Sequence, residues 1–378
     1  MTTIRTWTAA VGALACLFVG TGHAQGVTKT NILIGQSSPF SGSNKELGDD
    51  IREGIQAYFK LVNAAGGVNG RTLELIALDD ANDAKRSGEN ARILIEQRGV
   101  LALIGYASAT LSLPALPFAE KSKVAFVGPF TGAEPMRTFR RNVYNIRASY
   151  ADELEKIVDF YATTGMKKFS IIHYDDAVGK ENLAAVELAL TRRGLKPSSI
   201  ATLKRNQTDL GATVSDVVKA EPDVVIATTL YKTTGDFIKS ARKAGSGAQF
   251  ASTSFVGASA LANELGDQGM GVVVAQVVPP YARASIPVVR EYQAAIEKSL
   301  GKKDYSFTSL EAYIGAKVIV EAIRRAGANP TREGLLKTLD SMQNFNVGGY
   351  LVDFSASNHN GSKFVELTAI SKAGRFAY

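Results

Sequence analysis

Reactive side chains are scarce in this chain of 378 residues, which contains one cysteine and three histidines. A disulfide framework is excluded because it needs at least two cysteines, and thiolate metal sites need several. A Ser-His-acid triad would depend on one of very few histidines. We therefore expect no cofactor and no metal, and a binding protein rather than an enzyme.

Concentrated positive charge is also absent. The chain has 43 basic and 36 acidic residues, which gives a formal net charge of +7. Its paired basic residues are scattered next to acidic neighbours, and no block of five basic residues occurs. The charge therefore indicates a mildly basic solvated surface, and we expect no nucleic-acid partner.

Residues 1–24 have the layout of a secretory signal peptide. Arg5 precedes an apolar stretch over residues 9–19, and small residues follow up to Ala24, where cleavage is expected. The apolar stretch is too short for a transmembrane anchor, and the residues around Cys16 are a poor match to a lipoprotein processing site. Cleavage would leave a chain without cysteine, with two histidines and a net charge of +6.

Short apolar runs alternate with amphipathic helical stretches after this leader. The first run, Ile32–Gly35, precedes a helical pattern over residues 47–62, and a strand over 73–78 follows. The same rhythm restarts with a helix over 151–164 and a strand over 169–174. Strands that alternate with helices form parallel sheets whose faces are covered. Two such runs, each of roughly 120 residues, predict an α/β fold of two doubly wound parallel-sheet lobes rather than one closed barrel.

The last quarter of the chain follows a different pattern. Helices over residues 286–299, 308–327 and 331–342 succeed one another without a strand between them. Two apolar segments, 349–354 and 364–370, flank a polar turn and predict a β-hairpin. A chain with this order crosses between the lobes more than once, so we expect a hinge of several strands and closure over a cleft.

Three loops of the first predicted lobe follow strands and are candidates for a ligand site, because ligands of open α/β sheets bind beyond the carboxyl ends of strands. They carry hydroxyl groups, backbone amides suited to a carboxylate, and aromatic rings. No GxGxxG or Walker lysine occurs in them, so nucleotide phosphates are not indicated. For Ser108 and Thr110 the alternative is simple N-capping of a helix. The candidate residues of this lobe are Ser38, Tyr106, Ser108, Ala109, Thr110, Pro129, Phe130 and Thr131.

The second lobe has corresponding loops, in which Tyr174 and Tyr231 are candidate ligand contacts. The pair Asp175 and Asp176 fits acid–base catalysis or a cation contact. Adjacent carboxylates before a helix more often interact with its N-terminus, which is the interpretation we favour. The same alternatives apply to residues 79–80, where helix capping is favoured more strongly.

Several motifs together carry a resemblance to a known family. They are Val62–Arg71 (VNAAGGVNGR), Asp79-Asp80, Leu103–Gly105, Gly128–Thr131 and Asp175–Gly179. The chain resembles periplasmic solute-binding proteins of branched-chain amino acid ABC importers, the leucine/isoleucine/valine-binding type, over essentially its whole length after the leader. The resemblance implies a type I periplasmic-binding fold, in which two lobes joined by three crossings trap a ligand by closing. Lobe 1 would comprise residues 27–148 and 279–345, and lobe 2 residues 149–278 and 346–378.

The resemblance also implies ligand contacts. In that family a hydroxyl and backbone groups of lobe 1 hold the ligand carboxylate, and the matching positions here are Ser108–Thr110 and Thr131. One hydroxyl position falls on Ala109, which offers its backbone amide. Members that bind α-amino acids place an acid of lobe 2 against the ammonium group. The matching stretch here, residues 252–257, has no acid and contributes Ser254 and Phe255 as candidates.

These features predict a periplasmic receptor of an ABC importer that captures a small carboxylate-bearing ligand, a branched-chain or other amino acid. We expect a monomer that delivers the ligand to a membrane permease. An aromatic or short aliphatic carboxylic acid is the alternative ligand, because Tyr106, Phe130, Tyr231 and Phe255 offer apolar or stacking walls. The alternative role is a ligand sensor that feeds a signalling receptor.

Overall fold

The structure is a computed structural model that describes residues 26–378, apart from residues 43, 206 and 302. The predicted signal peptide lies outside the described residues. Within them, no helix combines the length and the apolar character needed to cross a membrane.

Lobe 1 is built around a five-stranded sheet in the order β2-β1-β3-β4-β5. Its strands are β1 (Asn31–Ser38), β2 (Thr72–Asp79), β3 (Ala102–Ile104), β4 (Ala125–Val127) and β5 (Val143–Tyr144). The helices of the same part of the chain are α1 (Lys45–Ala64), α2 (Ala84–Arg92), α3 (Ala109–Ser112), α4 (Leu116–Lys121) and α5 (Glu134–Arg137). All neighbouring strands are parallel, so the chain returns through helices between them.

Lobe 2 repeats this pattern in the middle of the chain. Its parallel strands are β6 (Phe169–Tyr174), β7 (Pro197–Leu203), β8 (Val224–Ala227), β9 (Gln249–Ser252) and β10 (Val273–Gln276). Its helices are α6 (Tyr150–Thr163), α7 (Ala177–Thr191), α8 (Gly211–Lys219), α9 (Tyr231–Lys243) and α10 (Ala258–Leu265). The prediction of two doubly wound parallel-sheet lobes is confirmed.

The tail of the chain is divided between the two lobes. It contains α11 (Pro287–Leu300), α12 (Phe307–Arg325), α13 (Arg332–Asp340), β11 (Phe345–Asn346), β12 (Leu351–Val352), β13 (Glu366–Ile370) and β14 (Phe376–Ala377). Helices α11 and α12 pack on α1, and α13 packs on α12, so all three belong to lobe 1. Strands β13 and β14 extend the lobe 2 sheet, whose order is β14-β13-β10-β9-β8-β6-β7.

The predicted hairpin of residues 349–354 and 364–370 is wrong. Strand β12 pairs with β11, whereas β13 pairs antiparallel with β10. The edge of β10 offers a row of backbone N–H and C=O groups that need partners. The second apolar segment therefore pairs with the edge of the large lobe 2 sheet and not with the first apolar segment.

The contact between α1 and α12 depends on a glycine. A Cβ atom at Gly54 would lie 2.0 Å from the backbone oxygen of Ser309, so only glycine allows the two helices to come this close. The buried face of α1, which includes Ile51 and Ile55, lies against the lobe 1 core. This packing places the N-terminal turns of α1 and α12 side by side at the edge that faces lobe 2.

Three segments connect the lobes, and a tyrosine links two of them. The first crossing (residues 145–149) follows β5, the second (277–286) follows β10, and the third follows β12. The hydroxyl of Tyr350 lies 2.6 Å from the carbonyl oxygen of Ile146 and 3.1 Å from that of Val277, so it is shared between the first two crossings.

Residues 346–361, which we expected in lobe 2, contact lobe 1. The backbone N–H of Phe354 donates to Met342 at 2.9 Å, and the ring of His359 stacks on Tyr144 with centroids 4.0 Å apart. These contacts favour a third crossing after residue 361. The division of the chain into two lobes otherwise stays a prediction.

Candidate ligand-binding cleft

The cleft edge of lobe 1 begins where β3 and β4 end. Gly105 and Gly128 follow these strands with φ of +68° and +59°, which glycine adopts without strain. The hydroxyl of Ser38 donates to the backbone oxygen of Gly105 at 2.7 Å, and Ser38 has no exposed surface. This predicted ligand residue therefore joins β1 to β3 and does not face the cleft.

Two aspartates after β2 hold the neighbouring loop. Asp79 accepts a hydrogen bond from the backbone N–H of Phe40 at 2.8 Å, and Asp80 accepts one from the hydroxyl of Ser37 at 2.9 Å. The prediction that this pair caps a helix is wrong, because Asp83 is the N-cap of α2. The two carboxylates instead fix the loop that joins β1 to α1.

The loop after β3 has the predicted hydroxyl groups, but that of Ser108 already accepts a hydrogen bond within the protein. Ser108 caps α3 by accepting a hydrogen bond from the backbone N–H of Leu111 at 3.2 Å. Its hydroxyl proton is still able to reach another acceptor. Ala109 is buried and Thr110 is exposed. The N-capping alternative is thus correct for Ser108, and the ligand role of all three residues stays a prediction.

The loop after β4 contains Pro129, Phe130 and Thr131, all three buried. The backbone N–H of Thr131 donates to the oxygen of Pro129 at 2.8 Å, which makes a tight turn. The hydroxyl of Thr131 lies 3.4 Å from that of Tyr150, the first residue of α6. This loop therefore touches the start of lobe 2.

Two predicted aromatic residues lie inside the lobes. Tyr106 is fully buried, and its ring packs edge-on against Phe126 with centroids 4.8 Å apart. The hydroxyl of Tyr174 lies 2.9 Å from that of Thr233, and the Arg205 guanidinium covers its ring at 4.6 Å. These contacts give both side chains a structural role inside their lobes, and the ligand role of Tyr106 and Tyr174 stays a prediction.

The aspartate pair before α7 has a structural role. Asp176 is the N-cap and accepts a hydrogen bond from the backbone N–H of Gly179 at 2.8 Å, and Asp175 pairs with Lys180 at 3.0 Å. The favoured interpretation, interaction with the helix N-terminus, is confirmed for Asp176. In the described ranges, no group of three or more His, Cys, Asp or Glu side chains is placed to hold a metal ion.

A buried arginine, Arg147, lies where the two lobes meet. It belongs to the first crossing and has no exposed surface. Its Nη2 donates to Oε1 of Glu153 at 3.2 Å and to the hydroxyl of Ser254, both in lobe 2. Its Nη1 lies 3.5 Å from Oε1 of Glu311 on α12 of lobe 1. One guanidinium therefore connects the crossing with both lobes.

Two predicted ligand residues, Phe130 and Ser254, contact this arginine, and a third, Phe255, lies near it through Tyr150. The ring of Phe130 lies 5.0 Å from the Arg147 guanidinium carbon, and Ser254 accepts a hydrogen bond from it. The ring of Tyr150 lies 5.6 Å from the same carbon and 5.8 Å from the ring of Phe255. The structure thus brings together loops that the sequence placed in different lobes. We call Arg147, Glu153, Glu311 and Ser254 the cleft floor.

Charge at the cleft floor is unevenly balanced. Burial alone would lower the pKa of Arg147, but the carboxylates of Glu311 and Glu153 outweigh burial and raise it. Burial raises the pKa of Glu311 to about 7; Arg147 opposes this rise and Glu153 adds to it. Burial also raises the pKa of Glu153, although Arg147 and hydrogen bonds from Ser254 stabilise its ionised form. The single guanidinium of Arg147 is therefore the positive charge that stabilises the ionised forms of two buried carboxyl groups.

A cavity of about 380 Å³ separates the lobes beside Phe255. Lobe 2 lines it with Tyr231 and Phe255, and lobe 1 lines it with the N-terminal turns of α1 and α12. Its acidic lining residues are Glu46, Asp49, Asp50, Glu53 and Asp304, and its described lining includes no lysine or arginine. The hydroxyl of Ser306 donates to Asp50 at 2.6 Å, and burial raises the pKa of Asp50 to about 7.

The lobes are in contact in this structure. The backbone N–H of Glu134 in lobe 1 donates to the carboxylate of Glu181 in lobe 2 at 2.6 Å. Val178 and Phe255 of lobe 2 pack against the buried cluster of lobe 1 that includes Ala109 and Ala133. A ligand in this cleft would touch both lobes.

Sequence reasoning missed the three charged residues of the cleft floor, although two of them carried a signal. Arg147 is an isolated charge in the segment 143–148, which is otherwise uncharged. Glu311 lies four residues after Phe307 and three before Ile314, so it occupies the apolar face of a helix. A charge at a position that the pattern assigns to the core indicates a buried ionic group. Glu153 lies among other acidic residues and carried no such signal.

Two doubly wound lobes, three crossings and a cleft lined by both lobes define a bilobal binding protein of the type I periplasmic-binding fold. Residues 31–375 match the family described as "Periplasmic binding protein", and the chain belongs to this family. The resemblance seen in the sequence is thereby confirmed. Members of this family are solute-binding proteins that bind small ligands and work with ABC transporter permeases.

Individual relatives are similar over most of their length. An "amino acid binding protein" of Pseudomonas aeruginosa is 26% identical over 303 residues, which cover 79% of this chain and 80% of the relative. "Leu/Ile/Val-binding protein homolog 7" of Brucella melitensis is 26% identical over 371 residues, with 92% and 90% covered. The crystal structure of a possible leucine/isoleucine/valine-binding protein from Rhodopirellula baltica superposes with a TM-score of 0.87 at 30% identity, over 92% of this chain and 96% of that one.

Proposed function

We propose that this chain is the periplasmic receptor of an ABC importer and that it captures a small carboxylate-bearing ligand, a branched-chain or other amino acid. The observation that carries the proposal is the cavity of about 380 Å³ lined by both lobes. The names of the Pseudomonas and Brucella relatives support the ligand class. Delivery to a membrane permease and monomeric action in the periplasm are part of the same proposal.

Capture follows from contact with both lobes. A ligand shifts the equilibrium between open and closed arrangements only by its difference in affinity for the two. We place the ligand side chain in this cavity, against Tyr231 and Phe255 of lobe 2. We place its carboxylate at Ser108–Thr110 and Thr131 of lobe 1, which are not among the residues that line the cavity. Closure then brings ligand groups into contacts that the open cleft does not offer.

Mass spectrometry of the ligand that co-purifies with the protein is the direct test. A thermal-shift panel of amino acids and carboxylic acids then ranks candidates. A ligand at 100 times its dissociation constant should stabilise the fold by about 2.7 kcal/mol. The proposal fails if no carboxylate co-purifies and none raises the melting temperature.

Thr131→Ala tests the carboxylate position. Loss of a hydrogen bond to a charged group should weaken binding by about 1.5–3 kcal/mol, measured by calorimetry. Thr163→Ala, at an exposed threonine at the end of α6, is the control and should leave affinity unchanged. Equal affinity of both variants and the parent protein would show that the carboxylate binds elsewhere.

An aromatic or short aliphatic carboxylic acid is the second candidate ligand. The observation that favours it is the loop after β9, where Ser254 and Phe255 occupy the stretch that in amino-acid-binding relatives would supply an acid. Phenylpropanoate and 4-methylpentanoate therefore belong in the panel beside the amino acids.

A further inference from the structure

The carboxyl group of Glu311 is buried without a hydrogen bond. Glu311 is only 4% exposed, and within the described part of the chain its one polar contact is the Arg147 guanidinium at 3.5 Å. By contrast, both oxygens of Glu153 are engaged, Oε2 by the backbone N–H of Ser254 at 2.6 Å and Oε1 by its hydroxyl at 3.0 Å. Of the two carboxyl groups at the cleft floor, that of Glu311 therefore has the fewer polar partners among the described residues.

Charge balance leads to the same residue. With all groups ionised, the cleft floor carries one positive and two negative charges, and an uncompensated buried charge is strongly unfavourable. In the unliganded protein a proton relieves this imbalance, consistent with the raised pKa of Glu311, about 7. A cation of the ligand would relieve the imbalance equally well. The cleft floor and the ligand cation would then contain two positive and two negative charges.

There is space for one such group beside Glu311. A small cavity of about 10 Å³ lies there, close to the space that one water molecule or one ammonium group needs. Its other lining residues are apolar or glycine, and they include Gly105, Gly128 and Phe130 at the strand ends where we place the ligand. Its lining among the described residues contains no lysine or arginine, so the nearest described cation is Arg147, on the other side of the carboxyl group.

We propose that Glu311 is the subsite for a single cationic group of the ligand, of ammonium size, and that this group replaces a proton on Glu311 when the ligand binds. This inference rests on the proposed function. It assigns the acid that residues 252–257 lack to α12 of lobe 1.

The other ionisable groups near Glu311 set the pH range. Arg147 faces it from the first crossing, Glu153 from α6, and Tyr350 from the segment after β11. Arg147 is charged at every pH of interest, and burial keeps the pKa of Tyr350 well above 10. Proton exchange near neutral pH therefore belongs to the two carboxyl groups, and Glu311 is the one that faces the cavity.

Calorimetry in buffers of different ionisation heat measures the protons released on binding. Ligands are tested in pairs that differ by the ammonium group: L-leucine with 4-methylpentanoate, and L-phenylalanine with 3-phenylpropanoate. At pH 6.0 the amine-bearing ligand should release close to one proton, because Glu311 is mostly protonated before binding and ionised after it. At pH 8.5 the release should vanish, since Glu311 is then already ionised.

Glu311→Gln keeps the shape of the side chain and removes the carboxyl group that would exchange its proton for the ligand cation. It should abolish proton release and weaken binding of the amine-bearing ligand about ten- to a hundred-fold, while the deaminated partner binds equally well or better. Glu321→Gln is the matched control, because Glu321 lies on the same helix and pairs with Arg325. It should change neither quantity.

The outcomes separate this inference from the proposed function. The subsite is overturned if an amine-bearing ligand binds at pH 6.0 without proton release. It is also overturned if proton release persists in Glu311→Gln. The wild-type measurement alone is decisive if the variant does not fold. Binding of only the deaminated acids overturns the subsite and leaves the proposed function intact. If no member of either pair binds and no carboxylate co-purifies, both are overturned.

Discussion

The backbone N–H of Glu134 donates a hydrogen bond to the carboxylate of Glu181 at 2.6 Å, and the two residues belong to different lobes. Glu134 begins the short helix α5 after the Thr131 loop, and Glu181 lies in the first turns of α7. The free end of a helix has N–H groups without partners, which an anion satisfies well. This bond therefore links the lobes on the rim of the cleft and favours their contact.

Glu181→Ala should shift the unliganded protein towards an open arrangement. Loss of this partly exposed charged hydrogen bond should cost about 1 kcal/mol, roughly a five-fold change in the ratio of closed to open molecules. Small-angle X-ray scattering should show a larger radius of gyration. Glu187→Ala, on the same helix, is the control, and equal scattering from both variants would contradict a role of Glu181 in closure.

Tyr350→Phe should destabilise the hinge. Its hydroxyl is shared by the carbonyl groups of Ile146 and Val277, and loss of a buried donor should lower the free energy of unfolding by about 1–3 kcal/mol. Denaturant unfolding measures this change. Tyr161→Phe is a matched control because the buried hydroxyl of Tyr161 has no hydrogen-bond partner among the described residues, so its removal should cost little. A similar loss in both variants would argue against the shared bond.

Ionisation of the buried carboxyl group of Asp50 should lower the free energy of unfolding as the pH rises to neutrality. Burial raises its pKa from the usual 3.8 to about 7, so the folded protein binds this proton more tightly than the unfolded chain. The contribution to the free energy of unfolding is complete below pH 4 and is lost as the pH rises through 7, at about 1.4 kcal/mol per pKa unit.

Denaturant unfolding between pH 4 and 8 tests this, with Asp50→Asn expected to flatten the profile. Asp223→Asn is the control and should leave the shape of the profile in this range nearly unchanged, because backbone N–H groups of Lys168 and Lys167 lower the pKa of Asp223 from its usual 3.8, so this group titrates below the range. An Asp50→Asn profile parallel to that of the parent protein would contradict the buried, protonated state.

Gly105→Ala should disturb the turn that follows β3. The added Cβ would lie 2.8 Å from Ile51 and 2.9 Å from Ile55, in addition to the strain of a positive φ. Gly165→Ala is the control: its φ is +91° and its surroundings are open, so it bears backbone strain alone. We expect Gly105→Ala to be less stable than the control by about 1–3 kcal/mol in denaturant unfolding, and equal losses would exclude the steric effect.

The architecture could be predicted from periodicity because each strand and helix carries its own pattern. Alternating apolar runs and amphipathic helices identified both lobes before any contact was known. The hairpin prediction failed because strand pairing is not local. Gln276 of β10 bonds to Thr368 of β13, 92 positions later, and no local pattern distinguishes that pairing from a turn.

The site was predicted only in part, for a related reason. Loops at strand ends share a position that the fold dictates, so the sequence pattern was sufficient to place Phe130, Thr131 and Phe255 in such loops, and their ligand role stays a prediction. Arg147 was not, since its role depends on Ser254, which lies 107 positions away in the sequence. A buried ion group is defined by burial, and burial of a charge is visible only once the chain has folded around it.

The packing of α12 on α1 has a consequence for how this chain folds. Asp50 and Ser306 bond across 256 positions, so lobe 1 has its first helix near the start of the chain and the partner of that helix near the end. During synthesis the part of α1 that packs on α11 and α12 stays uncovered until the last quarter of the polypeptide has emerged. Contacts between residues so far apart in the sequence form slowly, and apolar surface stays exposed to solvent until they form. We expect lobe 2, apart from its edge strands, to acquire its structure first, and lobe 1 to be the last part of the molecule to become protected from proteases and aggregation.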